Sequence, residues 1–402
     1  MADALYARAL AAERDRKDDE RDEALARLRL YDDGHRLAAW DAPATVALTT
    51  TPAGAAIRFA RVEPRAGKAE LGPWRDLGAT PLAALTLPRG SYVFELTLAD
   101  HAPTRYPLLL ERGEAFTADV PLAPAAQVPA GMIYVPPGRF MVGSTAPGRV
   151  RSSYLHTAPA HPAMTRGFLA ATRETTYRDW TAYLATLPVE EAQQRSPSAG
   201  TPGAPGYIRL ERRDGAWRLT LQPATAEYQL ALGAPLRYQH RTERIEQPSA
   251  ELPVTALSPE DAERYAAWLD HTGRIPGARV CDEREWERLA RGADLRAYPH
   301  GDVLAPTEAN YGESGSSYDA YGPDAVGSHP ATRSVFGADD MAGNVWEFAR
   351  SAYRESAWVV RGGGYPLDDQ AAMSTMRDIV HDQLRDISIG FRICAPAPIA
   401  QR

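Results

Sequence analysis

A chain of 402 residues is too long for one ordinary hydrophobic core, so two or three domains are expected. Hydrophobic residues at 44% and charged ones at 24% describe a globular protein, not a disordered one. A net charge of −7 argues against a nucleic-acid partner, and no run reaches the roughly 18–20 apolar residues of a membrane span. The first residues also lack the basic-then-apolar pattern of a secretory signal. The expected setting is the cytoplasm, or another compartment if the chain is the soluble part of a longer receptor. Cys281 and Cys394 are too far apart in sequence to be assigned as a disulfide and read as two isolated buried thiols.

Residues 4–31 are rich in Ala, Arg, Glu and Asp and contain no Gly or Pro, which predicts one helix. From Glu13 to Glu23 no residue is apolar, so no face of that stretch is expected to be buried. Within an N-terminal segment 1–40 this reads as a solvated stalk, or as half of a coiled coil through which the chain self-associates.

Residues 44–124 change period. Short strands are expected at Thr45–Thr49, Ala56–Phe59, Ser91–Leu98 and Tyr106–Leu110, with turn signals at 51–55, 77–82 and 87–92. The pattern resembles a PEGA-type domain, a small β-sandwich found in bacterial envelope and kinase-linked proteins. It carries no catalytic constellation and reads as a spacer or binding module.

A linker at 123–130 leads into the last segment, 131–398. Gly131–Ser144 alternates around Pro-Gly and reads as a hairpin, Gly167–Ala170 as a strand, and Tyr177–Leu184 as an amphipathic helix. Residues 188–250 look like an insertion, either a surface specificity element or decoration, with a hairpin over 207–221 turning at Asp214-Gly215. Ser258 is an N-cap followed by Pro259 and, at the third helical position, Asp261. Asp282 can cap the next helix, which leaves Cys281 facing a core.

Three elements close the chain: Gly343-Asn344-Val345-Trp346-Glu347, then Arg361-Gly362-Gly363-Gly364-Tyr365, then Gly390-Phe391-Arg392. Together with the 278–292 stretch they resemble, in order, the formylglycine-generating enzyme (sulfatase-modifying factor) family, over roughly residues 131–397. The resemblance implies an α+β, loop-rich fold of the C-type lectin type, beside the small all-β sandwich and the N-terminal helix. It also implies structural calcium. One site would use the Asp340 and Glu347 side chains with the Gly343 and Val345 carbonyls. A second would use Asn310 and Asp324 with the Tyr311 and Val326 carbonyls. Oxygen donors of this kind suit a hard cation.

The family's oxidation of a substrate cysteine uses copper(I) on two thiolates, soft ligands for a soft ion. The positions that match those cysteines are Leu367 and Ala372, so no copper is expected. An iron-dependent branch, the sulfoxide synthases of thiohistidine biosynthesis, needs an H-x-x-x-H-x-E-type cluster. His156, His161, His300 and His329 do not form one. The family's peptide groove would here be lined by Trp346, Tyr365, Asp368, Asp369, Arg377, His381 and Arg385, strongly charged and without catalytic thiols. The expected function is a non-catalytic recognition or sensor module for a peptide, protein or small ligand, beside a signalling kinase system. No kinase motif occurs in the chain itself. The alternative is an oxidoreductase-like enzyme that uses the same groove without copper-thiolate chemistry.

Overall fold

A computed structural model describes residues 1–15, 17–314 and 317–399. The N-terminal segment is a helical hairpin, Ala2–Arg14 against Asp18–Leu28, followed by a short helix His35–Trp40. The expectation of one helix over 4–31 is corrected. The chain folds back, and Leu5, Ala9, Ala24, Leu25 and Leu28 close a small core of their own. The partner of the apolar stripe is thus the next helix. Nor is the charged stretch solvated throughout, because Glu13 accepts two hydrogen bonds from Arg112, at 2.6 and 2.7 Å. Burial alone would raise the Glu13 pKa, but the Arg112 and Arg89 guanidinium groups outweigh it and hold the carboxyl below its ordinary value.

Residues 44–121 form two sheets around one apolar core. One has the order Leu82–Leu87, Ala44–Thr51, Ala115–Pro121, the last pair parallel. The other runs Lys68–Leu71, Ala56–Arg65, Gly90–Thr97, Thr104–Leu110. Alternation buries Val46 and Leu48 on one sheet against Phe59, Phe94 and Leu96 on the other. This unit is seated on the rest of the chain. Lys68 donates to the Val303 carbonyl and pairs with Glu308, and Arg105 donates to the Val335 carbonyl.

The C-terminal segment is a mixed α+β arrangement of several small sheets. The expected hairpin at 131–144 does not form. Met132–Val135 pairs with Phe168–Ala171, and Gly138–Val142 pairs with His161–Thr165 in a different sheet. Pro136 and Pro137, which have no N–H to donate, lie between the two strands. The hairpin of the inserted region forms with its turn at Asp214 and Gly215, both at positive φ. The insertion is more than decoration: Ile208, Leu210, Leu219, Leu221 and Tyr238 belong to the main core.

Helix Pro259–His271 starts in a capping box in which Ser258 and Asp261 satisfy each other's backbone N–H groups. Helix Glu283–Arg291 follows Asp282, whose N–H donates to Glu285. Cys281 and Cys394 are buried as expected, but they are one disulfide and not two thiols. Arg279–Val280 pairs antiparallel with Ile393–Pro396, Arg279 opposite Cys394, and this brings the two cysteines together across 113 residues.

Candidate functional site

The three closing motifs meet at one buried carboxylate. Glu347 is the second residue of strand Trp346–Arg350, between Trp358–Arg361 and Ile389–Phe391. Its Oε2 accepts from the Trp286 indole N–H at 2.8 Å, and its Oε1 from Arg392 Nη2 at 2.7 Å. Arg392 also donates to the carbonyls of Ala171 and Asp339. Burial would lower the Arg392 pKa, but the Glu347 carboxylate outweighs it and holds the guanidinium above its ordinary value. Gly343 has φ of 80°, and a Cβ there would meet the Asn310 carbonyl oxygen at 2.5 Å, so only glycine fits. Asn344 Oδ1 accepts from the Asp324 N–H, and its amide donates to Glu174.

The loop after the glycines is held by its own backbone. Leu367 N–H donates to the Gly364 carbonyl, and the Leu367 carbonyl accepts from Gly312 N–H at 2.6 Å. Ala372 is fully buried against Gly363, where a Cβ would meet Ala372 Cα at 2.7 Å. The two positions matching the family's copper cysteines therefore hold an aliphatic side chain and a methyl group.

The residues expected in one groove are distributed. Trp346 and Tyr365 are buried, the Tyr365 hydroxyl without a partner. Asp368 is exposed and accepts from the Tyr154 hydroxyl at 2.8 Å. Burial, then that bond, pushes Tyr154 up to about 12. Asp369 offers its backbone carbonyl to the Tyr298 hydroxyl. Arg377 is buried in an ion pair with Glu283, and Arg385 is tied to Asp261 at the N-terminus of a helix. His381 stands in solvent beside Asp382. Arg377 and Arg385 are anchors within the fold, because each has a buried carboxylate to neutralise.

Calcium can be tested against the donors present. At the first site both Glu347 oxygens are engaged by Trp286 and Arg392, so this carboxylate is not open to a cation. Asp340 Oδ1 and Glu174 Oε2 are buried and have no hydrogen-bond partner. Burial, then the adjacent Asp340 carboxylate, holds Glu174 well above the usual carboxylate range. These two oxygens are donors of the kind a hard cation takes, although the Arg392 guanidinium lies 3.9 Å from Glu174 Oε2; any cation here would use Glu174 in the role expected of Glu347.

The second site does not fit. Arg241, from the inserted region, pairs with Asp324 Oδ1 and donates to the carbonyls of Ala320 and Gly322. Its guanidinium lies 3.7 Å from the centre of the Tyr238 ring, and His329 takes Asp324 Oδ2 at 2.8 Å. Burial raises Asp324, but His329 and Arg241 outweigh it and keep the carboxyl below its ordinary value. Asn310 turns its amide nitrogen to the Gly322 carbonyl. Tyr311 borders a cavity of about 260 Å³ that opens beside Arg241, and Val326 donates its N–H to Glu251. An organic cation already sits on the carboxylate.

Sequence reasoning missed Glu174, Trp286, Arg392 and Arg241 as members of these sites. Trp286 and Arg392 lie inside stretches quoted for the family pattern, so their motif membership was the available signal, and Glu174 lies just before the helix expected from Tyr177. Arg241 lies in the inserted region and gave none.

The model of the sulfatase-modifying factor enzyme 1-like domain matches residues 118–397, well over half of the chain. The chain belongs to that family. Among its relatives is the inactive C-alpha-formylglycine-generating enzyme 2 of Mus musculus, 26% identical over 291 residues, which cover 68% of this chain and 87% of that one. A hercynine oxygenase of Mycolicibacterium thermoresistibile is 38% identical over 126 residues, 30% of this chain and 25% of that protein. The serine/threonine-protein kinase Pkn1 of Chlamydia trachomatis is 34% identical over 120 residues, 29% of this chain and 17% of that one. The chain spans less than half the length of the hercynine oxygenases it matches.

Proposed function

We propose that this family member is a non-catalytic recognition module, which binds a peptide, protein or small ligand in a signalling context. The observation that carries the reading is the pair Leu367 and Ala372 at the positions of the family's copper thiolates. Neither side chain can ligate copper, and the two cysteines of the chain are bonded to each other. Similarity to a relative named as inactive supports the same reading, and similarity to part of a protein kinase supports the signalling context. In this reading the lectin-like scaffold is kept for its surface, and the preceding two-sheet unit, of PEGA type, is a spacer. A disulfide is the bond of oxidising compartments, which supports action outside the reducing cytoplasm.

The test is oxygen uptake by copper(I)-supplemented protein with a cysteine-containing peptide. No turnover is expected from the natural chain, and turnover would refute the reading. A Leu367→Cys/Ala372→Cys variant is expected to gain tight copper(I) binding.

A further inference from the structure

A cavity of about 370 Å³ lies away from the buried carboxylates, between the 151–157 segment, the 353–354 turn and the strand Arg377–Val380. Its charge is unbalanced. Arg151, Arg354 and Arg377 line it together with Tyr353. A fourth guanidinium, Arg284, lies 5.5 Å from the centre of the Tyr353 ring, and Arg377 lies 5.2 Å from the same centre.

Of these four guanidinium groups only Arg377 has a carboxylate of its own among the described residues. Glu283 is taken by Arg377, and Asp378, the one carboxylate on the cavity wall, lies 3.3 Å from the His156 ring nitrogen. Glu287, behind the ring, is taken by Arg291 and Arg361. Among the described residues, no carboxylate lies within ion-pair distance of Arg151, Arg284 or Arg354. A second observation points the same way. The Nε atoms of Arg284 and Arg377 are buried donors with no acceptor, and Arg377 is only 6% exposed. Buried donors left unpaired are costly, and they mark this cluster as one with more donors than acceptors.

We propose that this cavity binds a phosphate-class oxyanion, either free or carried on a peptide side chain. Guanidinium groups match the oxygens of such a group in charge and in fork geometry. A dianion suits the excess of positive charge better than a single carboxylate does. The cavity is larger than the anion alone requires, and the exposed Ile379 on its wall offers apolar contact to whatever carries it. This inference stands apart from the reading of Leu367 and Ala372.

The full chain is titrated calorimetrically, at constant ionic strength, with three probes. They are inorganic phosphate, a five-residue alanine peptide with a central phosphoserine, and the same peptide with serine. Phosphate and the phosphopeptide are expected to bind, and the serine peptide is not. Tighter binding of the phosphopeptide assigns the ligand to a peptide, and equal binding assigns it to the free anion. Arg284→Ala/Arg354→Ala is expected to weaken phosphate at least about tenfold. Arg218→Ala, on the inserted sheet, is expected to change nothing. Should the double variant fail to fold, Arg354→Ala alone serves, since that side chain is exposed. No phosphate binding by the natural chain, or undiminished binding by the variant, would overturn the proposal.

Discussion

Two helices of this chain are almost equally charged and meet opposite fates. Asp18–Leu28 exposes its acidic and basic side chains and buries only Ala24, Leu25 and Leu28. Glu283–Arg291 buries every residue but Arg284. The difference lies in what the rest of the chain brings to them. Arg8 and Glu23 find each other in solvent, where an ion pair contributes little. Glu283, Glu285 and Glu287 find Arg377, Arg279 and Arg361, from strands up to 94 residues away, while Arg288 finds the Thr165 hydroxyl. A buried ion pair contributes modestly when intact, but removing one member leaves its partner charged and dry.

The largest expected effect therefore comes from the buried helix. Glu287→Ala leaves Arg291 and Arg361 without their carboxylate and is expected to destabilise the fold by about 3–5 kcal/mol in urea unfolding. An unchanged midpoint would show that the network is not what holds this helix. Reduction of Cys281–Cys394, or Cys281→Ala/Cys394→Ala, should cost about 2–5 kcal/mol, since the bond closes a long loop beside the same helix.

Arg241→Ala should lower the thermal midpoint, by about 3 kcal/mol of stability, because Asp324 then keeps only His329. Millimolar calcium is expected to restore part of that loss in the variant and to leave the second site of the natural chain unaffected. Recovery without calcium dependence would refute the view that the guanidinium stands in for a metal ion.

Acid sharpens the comparison. Burial raises Asp294, but Arg296 outweighs it and brings the carboxyl down to about 2. Its folded pKa is below the unfolded value, so its contribution is complete above about pH 4 and is lost as pH falls toward 2. Asp294→Asn should remove about 2 kcal/mol at neutral pH and flatten stability across that window. The smallest effect belongs to the exposed helix: Glu23→Gln should change stability by no more than about 0.5 kcal/mol. A larger loss would mean that the hairpin is held by charge and not by Leu5, Leu25 and Leu28.

What was legible in the sequence follows the same division. Local rules placed the capped helix at Ser258, the hairpin at Asp214-Gly215 and the strands of the first sandwich, because caps, turns and alternation act within a few residues. Motif order placed the family. Register across sheets was not legible, so the Cys281–Cys394 bond and the divergence of Met132–Val135 from Gly138–Val142 were missed. Nor was the choice of counter-ion. Glu347 and Asp324 read as metal ligands in isolation, yet each had an arginine waiting, one 45 residues downstream and one 83 upstream. The charge of Arg377 and Arg385 was visible, but their burial against Glu283 and Asp261 was not.

The central claim is that this scaffold has kept its surface and given up its redox centre. Elemental analysis of the purified, unchelated protein for calcium, copper, iron and zinc tests it most directly. The account predicts no more than one calcium per chain, at Asp340 and Glu174, with copper and iron far below stoichiometric. One copper or iron retained per chain would contradict it.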